Sequence, residues 1–199
     1  MDYSEREIMV FKGLISLIKD GNNPYTITVS DIAESANMGK GSLYDYFSSK
    51  KEIISQALLY FIELEIESAC NRIDSKEKFK EKFYELLSII TESLEDNASM
   101  INVFLSISGI REFYKDFLDE DCSMKYFLDT VNSIMAHLLE VGYNEGVIDK
   151  KGDKFYQMMA IRGSLSGFSY YLNKKDVYKE VSIDVAMDTA YTILLKTLN

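Results

Sequence analysis

Residues 26–54, TITVSDIAESANMGKGSLYDYFSSKKEII, constrain what this chain can fold into more tightly than any other stretch. Thr28 is a good N-cap, and Asp31 stands three residues on, the spacing of a capping box. Ile32 and Ala33 then supply the apolar face of a short helix. Asn37 follows Ala36 at a place where a left-handed residue lets the chain turn, and Asn adopts that conformation at lower cost than most residues. Gly39 serves as the next N-cap, and a second short helix is expected through Leu43 to Phe47. Two short helices joined by a tight turn make a helix-turn-helix, whose second helix can lie in a DNA major groove.

The flanking segments extend this reading. Before the motif, Ile8, Phe11, Leu14, Ile15 and Ile18 recur at helical spacing, with Ser4 and Glu7 as a further capping box. Gly21-Asn22-Asn23-Pro24 ends that helix, because proline drives its predecessor out of helical geometry. A three-helix head follows. After the motif, Ser49 caps a long helix from Lys50 to about Arg72, and Asp74-Ser75 breaks it. Ser75 is expected to cap the next helix, which carries Phe79, Phe83, Leu86, Leu87, Ile90 and Leu94 in phase to about Asp96. Residues 99–121 divide less clearly, into a short helix around Phe104 and Ile107 and another around Phe113 and Phe117. Helices are then expected from Met124 to about Gly142, from Lys154 to Leu172 after Asp153, and from Ile183 to Leu198 after Ser182. The fold class is all-α. The expected division is a helix-turn-helix domain over 1–48 and a larger helical ligand-binding and dimerisation domain over 49–199.

The run DIAESANMGKGSLYDYFSSKKEII resembles the DNA-binding signature of the tetracycline-repressor (TetR) family of bacterial transcription regulators. The matching features are Ile32-Ala33, Ala36, Lys40-Gly41-Ser42-Leu43-Tyr44, Tyr46-Phe47, Lys50 and Ile53-Ile54. Two positions depart from the family pattern: Asn37 stands where Gly is usual, and Gly39 where Ser or Thr is usual. The resemblance covers the N-terminal quarter of the chain; the remainder agrees in length and helical character. It implies a homodimeric repressor of double-stranded operator DNA, released when a small-molecule effector in the second domain shifts the long fourth helix. That shift would change the spacing of two recognition helices, which must stay one DNA turn, about 34–36 Å, apart. A helical ligand-carrier or protein-interaction module with a degenerate head is the alternative, supported by Asp45 and the acidic balance.

Within the head each candidate has a physical role. Lys40 and Lys50 can neutralise phosphates, Lys50 from the first turn of its helix, where free amides also favour an anion. The hydroxyls of Ser42, Tyr44 and Tyr46 can donate to phosphates or base edges, and for the two tyrosines the resemblance favours DNA over the core. Gly41 lets the backbone come close to the DNA, and Thr28 can contact phosphate as well as cap. Leu43 and Phe47 read as core. Asp45 either accepts from a cytosine amino group or repels phosphates.

The formal net charge of −10 argues against indiscriminate nucleic-acid binding. Residues 1–51 hold six Lys or Arg against seven acids, so the acidity belongs mainly to the remainder. Binding to DNA is therefore expected to be specific and salt-sensitive. His137 is the sole histidine, Cys70 and Cys122 lack metal-ligand spacing, and there is no Gly-rich phosphate loop. No enzyme activity, metal or cofactor is expected. With no basic leader or membrane-length apolar run, a cytoplasmic location is expected.

In the second domain, Phe83, Phe104, Phe127, Met135 and Phe168 are candidate lining residues for an effector pocket, with Arg162 as a polar anchor beside Arg111 and His137. Core packing is the competing role for each aromatic. The helix at 154–172 mixes large apolar residues with Gly163, Ser164, Ser166, Gly167 and Ser169, and the last helix is apolar over a broad arc. From residues alone these two helices either complete one subunit's core or pair with their copies in a four-helix interface. The family resemblance favours the dimer.

Overall fold

The computed structural model describes residues 3–24, 26–95, 123–149 and 151–199, excepting the side chains of 123–128. Among these residues every regular element is an α-helix: α1 (Glu5–Lys19), α2 (Val29–Ser35), α3 (Lys40–Leu43), α4 (Lys50–Asp74), α5 (Phe79–Glu95), α6 (Ser123–Asn144), α7 (Lys154–Leu172) and α8 (Ile183–Leu198). None of the described helices is long and apolar enough to cross a membrane. Two units separate along the chain: the first holds the described residues to Ile66 together with the start of α6 to Phe127, and the second comprises Glu67–Glu95 with Leu128–Asn199. The backbone passes between them within α4.

Local chemistry sets most helix starts. Ser4 and Thr28 both close full capping boxes, with Glu7 and Asp31 returning a carboxylate to the cap's own amide. Ser49 Oγ accepts from the Glu52 amide at 3.1 Å. Asp153 and Ser182 cap α7 and α8 through the amides of Tyr156 and Val185. Each such cap satisfies amides that a helix leaves unpaired at its N-terminus and is worth about 1 kcal/mol.

The start of α5 differs from expectation. Ser75 does not cap it; its hydroxyl donates back to the Arg72 carbonyl at 2.6 Å and closes the end of α4. The first α5 amide, that of Phe79, instead donates to Glu145 at 2.8 Å, from the segment after α6. A cap drawn from 66 residues away cannot be read from local spacing.

In the first unit α1 crosses α2 at close range. A Cβ on Gly13 would stand 2.9 Å from the Ala36 amide nitrogen, so only glycine allows this approach. Ser35 Oγ donates to the Gly13 carbonyl at 3.0 Å across the same crossing. Phe11, Leu14, Ile32, Leu43, Phe47, Ile54 and Leu58 are buried here. Burying one such side chain contributes about 1.5–3 kcal/mol.

The second unit has its own core, with Ile73, Phe79, Phe83, Leu138, Ile161, Phe168 and Leu194 in one buried cluster. Here α7 and α8 pack against each other, and Ser164 Oγ donates to the Ala190 carbonyl at 2.5 Å in the buried seam. The C-terminal end of α4 is fixed within this unit by charge. Arg72 bonds Glu85 at 2.7 Å and Glu92 through both terminal nitrogens, while the buried Lys82 donates to the Ile73 carbonyl at 2.9 Å.

Candidate nucleic-acid interface

The turn between α2 and α3 has the conformation Asn37 was expected to supply: its φ is +53°, in the left-handed region. The amide of Met38 closes the end of α2 onto the Ala33 carbonyl at 2.8 Å. Gly39 is the N-cap of α3 and makes no side-chain cap.

The second helix of the motif is shorter than the expected span to Phe47. After Leu43 the ladder tightens to three-residue steps, Tyr44 to Gly41, Asp45 to Ser42 and Tyr46 to Leu43, at 3.1–3.3 Å. Phe47 then bonds the Leu43 carbonyl at 2.9 Å and turns inward. The reason lies in packing. Leu43 and Phe47 are both buried, and the ring of Phe47 stands 5.8 Å from that of Phe11 on α1.

This geometry sorts the candidate contacts. Thr28, Lys40 and Gly41 are exposed, Ser42, Tyr46 and Lys50 are half-buried, and Tyr44 is 52% exposed despite its size. A Cβ placed on Gly41 would meet no protein atom within 4 Å, so nothing inside the fold requires glycine there. Asp45 is exposed next to these residues. Thr28 and Lys50 are brought into one neighbourhood by Asp31. The Asp31 carboxyl is held below its ordinary value chiefly by the Thr28 amide, then by the Thr28 hydroxyl, with a smaller contribution from the charge of Lys50. At the start of α4 the carboxyl of Glu52 is lowered in the same way, by the Ser48 hydroxyl at 2.5 Å and the Ser48 amide at 2.7 Å.

One residue at this face lies outside the motif. Arg6 Nη1, from the first turn of α1, donates to the Tyr46 hydroxyl at 3.2 Å. No spacing rule links positions forty residues apart, so sequence reasoning had no signal by which to find it.

The effector candidates fall differently. Phe83, Met135 and Phe168 are buried in the same hydrophobic cluster, and Phe83 packs 5.8 Å from Tyr191 and 6.3 Å from Phe79. Arg162 is exposed, and its Nη2 donates to Asn132 Oδ1. His137 is exposed, 3.8 Å from the Asp74 carboxylate. Phe104, Arg111, Cys122 and the Phe127 side chain lie outside the described residues. Cys70 is half-buried, and its thiol is pushed up by burial and by Asp74.

The last two helices divide their apolar residues between two faces. Ala160, Ile161, Ser164 and Phe168 of α7 turn into the core, as do Ala186, Met187, Ala190 and Leu194 of α8. The opposite faces carry Phe155 at 74% exposure, Met159 at 52%, Tyr170 at 58%, Val185 at 53% and Ile193 at 48%. Gly163 and Gly167 are exposed on α7, and a Cβ on either would meet nothing within 4 Å.

Residues 23–57 match the family described as bacterial regulatory proteins, tetR family. Among proteins of curated function, none matches the chain in sequence. In fold the chain is similar to the superantigen PfiT, with a TM-score of 0.75 and 17% identity over 98% of this chain and 99% of that one. It is similar to a TetR transcription regulator from Haloarcula marismortui, with a TM-score of 0.73 and 15% identity over 99% and 100% of the two chains. It is also similar to the transcriptional regulator FadR from Bacillus subtilis, solved in complex with stearoyl-CoA, with a TM-score of 0.62 and 19% identity over 96% and 97%. At these identities the likeness is one of fold.

Proposed function

We propose that this chain, which belongs to the TetR family of DNA-binding transcriptional regulators, is a homodimeric repressor whose operator affinity is set by a small-molecule effector. Its functional division is a DNA-binding domain over 1–48 and an effector and dimerisation domain over 49–199. Thr28, Lys40, Gly41, Ser42, Tyr44, Tyr46 and Lys50 are the DNA contacts. Lys40 and Lys50 offset phosphate charge, the hydroxyls donate, and Gly41 admits the sugar-phosphate backbone. The observation that carries the reading is Gly41, exposed and open in front of its α-carbon beside the exposed ring of Tyr44.

The dimer reading rests on the outward face of α7 and α8. A run of exposed Phe, Met, Tyr, Val and Ile around two open glycines is what an isologous four-helix interface buries. Two heads held this way address two half-sites. The effector acts on the second domain, with Phe83, Met135, Arg162 and Phe168 as its candidate contacts among the described residues, and its effect reaches the head along α4, a single helix with residues in both units. An effector must prefer one spacing of the heads to change affinity at all.

The test is an electrophoretic shift with DNA from upstream of the protein's own gene, repeated with candidate effectors. Stearoyl-CoA is the first to try, because a structural neighbour was solved with it. Salt-sensitive, competitor-resistant binding that an effector releases is the expected result. A head that retards no fragment at low salt would leave the alternative, a ligand-carrier or interaction module.

A further inference from the structure

Arg6, in the first turn of α1, reaches the turn that carries Tyr46. Its Nη1 donates to the Tyr46 hydroxyl at 3.2 Å. Packing fixes that meeting: Phe11, further along α1, lies 5.8 Å from Phe47, and the Tyr46 ring lies 6.4 Å from the same Phe47. Phe11 and Phe47 are buried, so α1 and the Tyr44–Phe47 turn are held together by core contacts rather than by the surface bond.

The hydrogen bonds left over are informative. A tyrosine hydroxyl has one proton and acceptor capacity on its oxygen, and Arg6 uses the acceptor side. The Tyr46 proton is then directed to another acceptor. Arg6 has five N–H donors, of which this bond uses one. Its neighbour Glu7 is committed to the Ser4 capping box, and Arg6 forms no ion pair among the described residues. An exposed guanidinium and an exposed-edge hydroxyl thus present donors side by side, next to the residues proposed to meet DNA.

We propose that Arg6 and Tyr46 form a paired grip on one DNA phosphate. Tyr46 donates its hydroxyl proton to one phosphate oxygen, and the remaining guanidinium donors take the same group, with the Arg6–Tyr46 bond fixing both. Hydrogen bonds to a charged phosphate are shorter and stronger than neutral ones, and a planar guanidinium suits two oxygens of one group. The inference rests on the DNA-binding reading above and adds a cation from outside the motif, where residues 1–51 hold only six Lys or Arg.

The test uses the full chain and DNA from upstream of its gene, with fluorescence anisotropy between about 50 and 200 mM salt. Arg6→Gln is expected to weaken binding about tenfold or more at the low end and to flatten the salt slope by about 0.9 per phosphate released, or about 1.8 for two half-sites. Arg6→Lys is expected to restore the slope, since it keeps the charge. Tyr46→Phe is expected to weaken binding with the slope unchanged, and to cost less when Arg6 is already Gln. Thermal melts of the variants should match wild type. An Arg6→Gln protein with wild-type affinity and slope overturns the grip while leaving the regulator reading intact, as long as wild type and a Lys40→Ala variant differ. Strictly additive losses from Arg6→Gln and Tyr46→Phe overturn the shared phosphate. A wild-type protein that binds no DNA overturns both.

Discussion

Replacing Gly167 with leucine separates the two faces of α7 in one experiment. Gly167 is exposed, and a Cβ there meets no atom of the protomer within 4 Å, so the added side chain has room in an isolated subunit. Gly to Leu in a helix interior also favours the helix by about 0.8 kcal/mol, through propensity alone. The protomer should therefore melt no lower than wild type. In a dimer built on this face the leucine meets its own copy's surface. Overfilling a packed site costs about 1–3 kcal/mol, and two-fold symmetry brings the change in twice. The dimer should lose about 2–6 kcal/mol, a rise in dissociation constant of roughly 30-fold to 10⁴-fold. Sedimentation velocity across a concentration series reads the association, and circular dichroism reads the protomer. Ser164→Leu is the control from the opposite face, because Ser164 is buried against Ala190 and a larger side chain there should disrupt the fold itself. A Gly167→Leu protein that dimerises like wild type would refute the assignment of this surface, and so would a wild-type monomer at micromolar concentration.

Four further outcomes are expected. Lys50→Ala should weaken binding to all DNA sequences and lower the salt slope by about one for each phosphate it no longer neutralises, read by anisotropy at several ionic strengths. Gly41→Ala should leave the fold as stable or up to about 1 kcal/mol more stable, yet reduce operator affinity; a gain or no change in affinity would mean the backbone there stands clear of DNA. Asp31→Asn tests pH dependence. The Asp31 carboxyl is depressed in the folded head, so its contribution is complete above its ordinary value of 3.8 and is lost as pH falls through the lower folded value. Melting temperature should accordingly fall less steeply on acidification in Asp31→Asn than in wild type. Asp45→Asn should tighten binding to every sequence if the carboxylate only repels phosphate, or relax preference at one base pair by about 1–3 kcal/mol if it reads cytosine; no change in either would remove this turn from the DNA.

Features that depend on neighbours three or four residues apart were legible before any tertiary contact was known. The caps at Ser4, Thr28, Ser49, Asp153 and Ser182 form as read, and Asn37 takes its left-handed turn, because the groups that satisfy each backbone amide sit within one helical turn. The bounds of α7 and α8 follow for the same reason. Packing decided the rest. Helix α3 stops at Leu43 because burying Leu43 and Phe47 against α1 tightens the chain between them. Helix α5 begins at Phe79 because a carboxylate 66 residues away meets its first amide, which leaves Ser75 to close α4. The apolar residues of α7 were legible as apolar, but their division into a core face and an outward face was not. A helix with large and small apolar residues all round carries no strong amphipathic signal, and the side that is covered is settled by which neighbour packs there. Arg6 beside Tyr46 belongs to the same class: two surface residues with no shared pattern, brought within a hydrogen bond because Phe11 and Phe47 bury each other.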